Sequence, residues 1–343
     1  MTIRDRKQLR QTADRRLQVA SYKPSRLVLI HSGIALGASL IVAIVQYILQ
    51  QQTHRHTGLS GVETRVILET AATALSVIVM VLQPFWNMGL TYAALRIARG
   101  KSDYPHTLAE GFRRWGPVLR MNLMLILVYS ILSFGAMYAS SILYMYTPAG
   151  AALAEQLQDV LLSGDFSSYA DVAAALSPET LREMYRVMLP IFGVVAFVLL
   201  TPAFYRMRMA PYVLMDQHGT GAWRAIRTSN RLMKRKVFQL LRLDLSYWWY
   251  YLLSLVVMVP MYADLLLGAL EISVPVADEV LMLAGHGVYV VLMLVLDCTC
   301  LPKIMTTYAL AYDALLEEAA QAQPVKPAEA PKYQDVYGAE HEE

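Results

Sequence analysis

Arg242, Asp244, Asp297 and Lys303 are ionisable residues set within or beside apolar stretches of this chain. A charge at membrane depth costs ~2.5–3.5 kcal/mol on the insertion scale and marks an ion path, a proton relay or a buried pair. Arg242 falls about five residues into the apolar run 237–267, ~7.5 Å along a helix, and Asp244 lies ~3 Å deeper. Asp297 precedes Lys303 in the run 280–310 by ~9 Å. If the two runs pack antiparallel, Arg242, Asp244 and Asp297 share one depth, and an Arg242–Asp297 pair would satisfy both groups. Two chemistries fit. One is a proton or ion site in the inner half of the membrane. The other is a structural pair in the headgroup zone, with Lys303 snorkelling.

A second group is more regular. After Gly219-Thr220-Gly221 the spacing predicts a helix beginning at Ala222. Trp223, Ile226, Asn230, Met233 and Val237 recur along one stripe. Arg224, Arg227, Arg231, Lys234 and Arg235 follow the neighbouring stripe, with Lys236 beside them. A basic amphipathic helix next to a membrane span suits anionic headgroups, each cation contributing ~1 kcal/mol near such a surface. The same residues also serve as topology-setting charge in a plain loop. Asp297-Cys298-Thr299-Cys300 has poor metal-ligand geometry, because its neighbours point to different helix faces, and no metal is expected. His54 and His56 fall in a polar outer loop, and His286 sits between small residues that favour close helix packing.

These residues must be positioned by apolar helices. Six runs are long enough to cross a bilayer at roughly 20 residues each: 27–49, 65–98, 118–144, 185–205, 237–267 and 280–310. The loops between them alternate between rich and poor in Lys and Arg. Arg96, Arg99, Lys101, Arg113, Arg114 and Arg120 crowd the second; Arg206, Arg208 and the 224–242 cluster crowd the fourth. Positive charge stays cytoplasmic, so the expected fold is all-α with six transmembrane helices, both termini cytoplasmic, and cytoplasmic amphipathic helices. Residues 1–26 read as a basic helix at the surface, with Leu9, Ala13, Leu17 and Ala20 on one stripe. Residues 317–343 read as an acidic, Pro/Ala-rich disordered tail. The third loop, about 145–184, is acidic, and Ser177-Pro178 is spaced as an N-cap before a helical proline.

Pro84, Pro202 and Pro302 fall near the inner halves of the even-numbered spans and are read as helix breaks. Each precedes a Tyr/Ala segment (Tyr92-Ala93-Ala94, Tyr205 to Ala210, Tyr308-Ala309-Leu310), which reads as a weak threefold hairpin repeat.

The composition excludes several classes. The chain is 56% hydrophobic and 17% charged, with mean hydropathy +0.38, against about 25% charged residues in a soluble domain. The net charge of +3 hides a segregation by loop, and no soluble basic block points to nucleic acid. His-Glu-x-x-His, Gly-x-Ser-x-Gly and phosphate-loop motifs are missing, so no enzyme chemistry or cofactor is expected.

Ser229-Asn230-Arg231-Leu232-Met233-Lys234 and then Phe238-Gln239-Leu240-Leu241-Arg242-Leu243-Asp244-Leu245-Ser246 resemble an uncharacterised family of bacterial multi-pass membrane proteins, domain of unknown function 975. Gly89 to Gly100, Glu110-Gly111-Phe112 and Pro202 to Asp216 extend the resemblance over most of residues 1–265. Arg235 stands where the family pattern has glycine, and Tyr247-Trp248-Trp249 replaces its Phe-Ile-Gly-Trp. The resemblance implies a bacterial cytoplasmic-membrane protein and supplies no activity.

The expectation is a non-enzymatic membrane protein that organises lipids or partner proteins at the cytoplasmic face. Its partners would be membrane lipids with anionic headgroups, a membrane protein, or further copies of itself. The alternative is a small transporter or permease using Arg242, Asp244, Asp297 and the proline-bearing spans.

Overall fold

The structure, a computed structural model, describes residues 5–20, 22–55, 59–101, 105–163, 178–263 and 278–321. Among them the regular elements are helices. In order they are α1 (Arg6–Val19), α2 (Pro24–Arg55), α3 (Leu59–Ala98), a 3-10 turn (Pro105–Ala109), α4 (Glu110–Arg113), α5 (Trp115–Met145) and α6 (Pro148–Ser163). Then come α7 (Pro178–Met207), α8 (Ala210–Asp216), α9 (Ala222–Leu232), α10 (Val237–Leu245), α11 (Trp248–Met258), a second 3-10 turn (Val259–Tyr262) and α12 (Asp278–Gln321). His56, Asp165, Asp171, Ser177 and most of the fifth loop lie outside the described residues. So does 322–343.

Five stretches are long and apolar enough to cross a membrane, by length and composition: Pro24–Ile48, Glu69–Ala98, Trp115–Met145, Glu179–Asp216 and Val280–Gln321. Their outward surfaces are apolar. Leu123, Ile126, Leu127 and Phe134 on α5 and Leu189, Val194 and Phe197 on α7 are exposed, a surface that calls for an apolar surrounding.

The run 237–267 is not one helix. Ser246 donates its hydroxyl back to the Leu243 carbonyl at 2.6 Å, a local bond that competes with the helix ladder, and α10 ends there. Pro260, which lacks an N–H, falls in the second 3-10 turn. The remaining apolar piece, Trp248–Tyr262, is shorter than the five. In the other direction α12 overruns its expected end and takes in the first residues assigned to the tail. Ala314 and Leu315 are buried there, and Glu318 pairs with Lys236.

Nor do the prolines break their helices: Pro84, Pro202 and Pro302 lie inside α3, α7 and α12, which continue on both sides. An interior proline costs ~3 kcal/mol, and packing just beyond each one opposes that cost. Ala94 and Leu95, Met209 and Ala210, and Tyr308 and Ala309 all enter one core, where Tyr212 and Tyr312 stack at 5.9 Å.

Two helical groups meet in this core. α2, α3 and α12 pack together with α1 against α12, while α5 packs on α7 and α6; α8 and α9 bridge the groups by touching α3, α5 and α7. Val213, Met215, Ala225, Met233, Leu240 and Leu243 are fully buried at the bridge. Gly89 and Gly111 let α3 and α4 approach closely, because a Cβ at either would run into the Leu108 or Phe85 carbonyl. This end also carries most of the Lys and Arg residues and is called the basic end below.

Candidate functional site

The 222–236 segment is placed by a serine. Ser229 donates to the Arg206 carbonyl at 2.8 Å and accepts from the Met209 amide at 3.2 Å. One hydroxyl thus serves the last turn of α7 and the first of α8 while anchoring α9. Arg114, at the start of α5, donates to the Leu214 and Met215 carbonyls at 3.0 and 3.2 Å and so fixes the end of α8. Gly219, at φ +82, makes the turn into α9, which starts from Gly221.

The buried face of α9 is Ala222, Ala225, Ser229 and Leu232, one position away from the stripe expected from sequence. Trp223 of that stripe is 64% exposed. The reason is physical: beside a membrane an apolar side chain is satisfied facing outward as well as inward, and the small Ala222 and Ala225 allow close packing where Trp223 would not. Trp115 and Phe238 are also exposed at the basic end, and tryptophan favours a membrane–water interface.

Turning the helix this way lines up Arg224, Arg227, Arg231 and Lys234. With Arg206 they line a groove of about 680 Å³, completed by Asn230, Thr228 and Gln217, and no carboxylate lines it. Among the described residues none of these five cations forms an ion pair. Arg235 and Lys236 do not join them. Lys236 is drawn to Glu318 of α12, and Arg235 occupies the turn after α9 at φ +65, a left-handed conformation that favours glycine. Arg206 joins the groove from the end of α7, outside the periodic stripe of α9; its signal in the sequence is its positive charge in the same loop.

The groove can hold an anion with several oxygens. Guanidinium groups present planar forks of donors that match phosphate, and the uncompensated charge on α9 is set to attract it.

The charged residues in the apolar runs are arranged differently. The expected Arg242–Asp297 pair is not formed. Arg242 is exposed, and its carbonyl accepts from Arg6 at 3.2 Å. Asp297 is buried and accepts from Ser32 at 2.8 Å and Tyr250 at 3.0 Å. A shared depth requires one unbroken helix; the helix ends at Leu245 and a new one starts at Trp248, and Tyr250, not Arg242, reaches Asp297. Asp244 is paired with Arg208 and accepts from Tyr205 at 2.5 Å. Arg208 also lies over the Tyr308 ring, 4.3 Å from its centroid. Lys303 does not snorkel freely; it reaches Asp14 of α1 at 2.7 Å.

Beside these, Arg99 joins three helices by pairing with Asp216 and, at 2.6 Å, with Asp313. The two carboxylates raise the guanidinium pKa above its ordinary value. Cys298 and Cys300 are free thiols. No group of three or more His, Cys, Asp or Glu residues placed to hold a metal occurs among the described residues.

These features define an all-helical protein with an apolar exterior along its length and a cationic groove at one end. The chain belongs to the family described as "Protein of unknown function (DUF975)", whose model matches residues 1–319. No curated protein and no solved structure matches the chain.

Proposed function

We propose that this is a bacterial cytoplasmic-membrane protein that binds the phosphate of anionic lipid headgroups, without enzymatic activity, in the groove between α9 and the end of α7. In this reading the chain crosses the membrane six times, with the α11 region as the fifth crossing, and both termini and the groove are cytoplasmic. The observation that carries it is the convergence of Arg206, Arg224, Arg227, Arg231 and Lys234 on one groove without a lining carboxylate. Lys/Arg-rich loops favour the cytoplasmic side. Exposed Trp115, Trp223 and Phe238 would seat that end at headgroup level, where each cation contributes ~1 kcal/mol.

The test uses protein in nanodiscs of phosphatidylcholine, titrated with monomeric short-chain phosphatidylglycerol. Replacing Arg224, Arg227 and Arg231 by Gln should weaken binding by ~100-fold at low salt, as expected from three such contributions. Short-chain phosphatidylcholine should bind weakly, and inorganic phosphate should compete only at much higher concentration. Equal binding of the two lipids, or no loss in the triple variant, sinks the reading.

A second reading, a small transporter, is favoured by one feature. Asp297 is buried against hydroxyls, and about 670 Å³ of space lined by Ser39, Gln46, Gln83 and His286 opens further along α2, α3 and α12. Solute or proton flux in proteoliposomes that is abolished by Asp297→Asn would support it; unaltered flux would dismiss it.

A further inference from the structure

We infer that the groove's competing occupant is the chain's own C-terminal segment, residues 322–343, which would act as a tethered anionic competitor for lipid. This rests on the reading of the groove as a headgroup site.

The first observation is the position of the end of α12. Glu318, in the last turn of α12, is ion-paired with Lys236, two residues from the groove-lining Lys234. α12 ends at Gln321, three residues beyond Glu318, and its end therefore lies near the α9 end of the groove. Reach is not limiting. Arg224 to Lys234 spans ~15 Å of helix, and eight extended residues, the step from Gln321 to Glu329, cover up to about 26 Å.

The second observation is charge. Residues 322–343 hold Glu329, Asp335, Glu340, Glu342 and Glu343 against Lys326 and Lys332, and the acidic residues concentrate toward the far end. The groove presents five cations with no ion-pair partner among the described residues. Its inward neighbours, by contrast, are already neutralised: Lys236 by Glu318, Arg208 by Asp244 and Arg99 by Asp216 and Asp313. The groove therefore keeps its positive charge, whereas these neighbours have already paired theirs. A ligand on a short tether competes at an effective concentration on the order of mM.

The third observation is that the family model ends at residue 319. The segment lies outside the family match, whereas the groove lies inside it.

The test keeps the full chain. Glu329→Gln, Asp335→Asn, Glu340→Gln, Glu342→Gln and Glu343→Gln are combined, and short-chain phosphatidylglycerol binding is measured in phosphatidylcholine nanodiscs. The neutralised chain should bind at least fivefold tighter at low salt. The gain should disappear at high salt and in the Arg224/Arg227/Arg231→Gln background. A photo-crosslinking residue placed at Tyr337 should label 222–236 of the same chain. Unchanged affinity, or crosslinks only elsewhere or between two chains, overturns the inference while leaving the groove a lipid site. Loss of all Arg dependence in both backgrounds overturns the groove and this inference together.

Discussion

The basic end and the spans are built on opposite principles. Within the apolar windows of the five long helices, between 6% and 22% of residues are buried inside the protein. At the basic end Met209, Ala210, Val213, Met215, Ala225, Met233, Leu240 and Leu243 are all 0% exposed. The end is closed by internal packing and polar links, whereas the spans leave much of their apolar surface for a surrounding solvent to cover. Specificity of the fold therefore resides at the basic end, and the spans supply length and an apolar exterior.

The largest test of that contrast is Asp244→Ala. It strips Arg208 of its carboxylate and leaves a half-buried guanidinium among aromatic rings, a change of about 3–5 kcal/mol. Thermal unfolding in detergent should show a large loss of stability, while Asp244→Asn, which keeps an acceptor for Tyr205 and Arg208, should lose less. If both variants unfold like the parent, the basic end is not where stability is concentrated.

Next is Ser229→Ala. It removes the link between α9 and the α7–α8 junction and leaves the Met209 amide without its acceptor, a cost of about 1–2 kcal/mol. It should also weaken short-chain phosphatidylglycerol binding severalfold, because the groove cations lose their common frame. Lowered stability with unchanged lipid affinity would separate the serine from the site.

Arg235→Gly should act in the opposite direction, stabilising by ~1 kcal/mol through relief of a left-handed backbone. A rise in melting temperature checks it, and because Arg235 stands apart from the groove, lipid affinity should hold. The smallest effect is expected in the spans. Leu127→Ala, at a side chain 60% exposed on α5, should shift stability by less than about 0.5 kcal/mol. A loss as large as that of Asp244→Ala would show that the spans are internally packed after all.

Much of this was legible from residues alone. The long apolar helices and the basic face of α9 follow from periodicity, and the glycine-to-Arg235 departure noted in the family pattern falls on a positive φ. What was not legible has a common cause. Trp223 is apolar yet faces outward, because beside an apolar surrounding an outward and an inward apolar side chain are equivalent. Arg208, a partner of Asp244, looks in sequence like any other positive loop residue. The Arg242–Asp297 pairing came from adding 1.5 Å steps along an unbroken helix, and Ser246 ends that helix. In sequence the prolines read as breaks, because the packing that holds α3, α7 and α12 together past them comes from other parts of the chain.

Arg99 carries a mechanical consequence. It fastens the end of α3 to α8 and α12 at one extremity of the bundle, and α2 and α12 pack along α3 beyond it. Forty residues of helix make an arm of about 60 Å, so each degree of tilt about that fastening displaces the far tip by about 1 Å. Any tilt of α3 would be shared with its packed neighbours α2 and α12, largest at the far tip and smallest at Arg99.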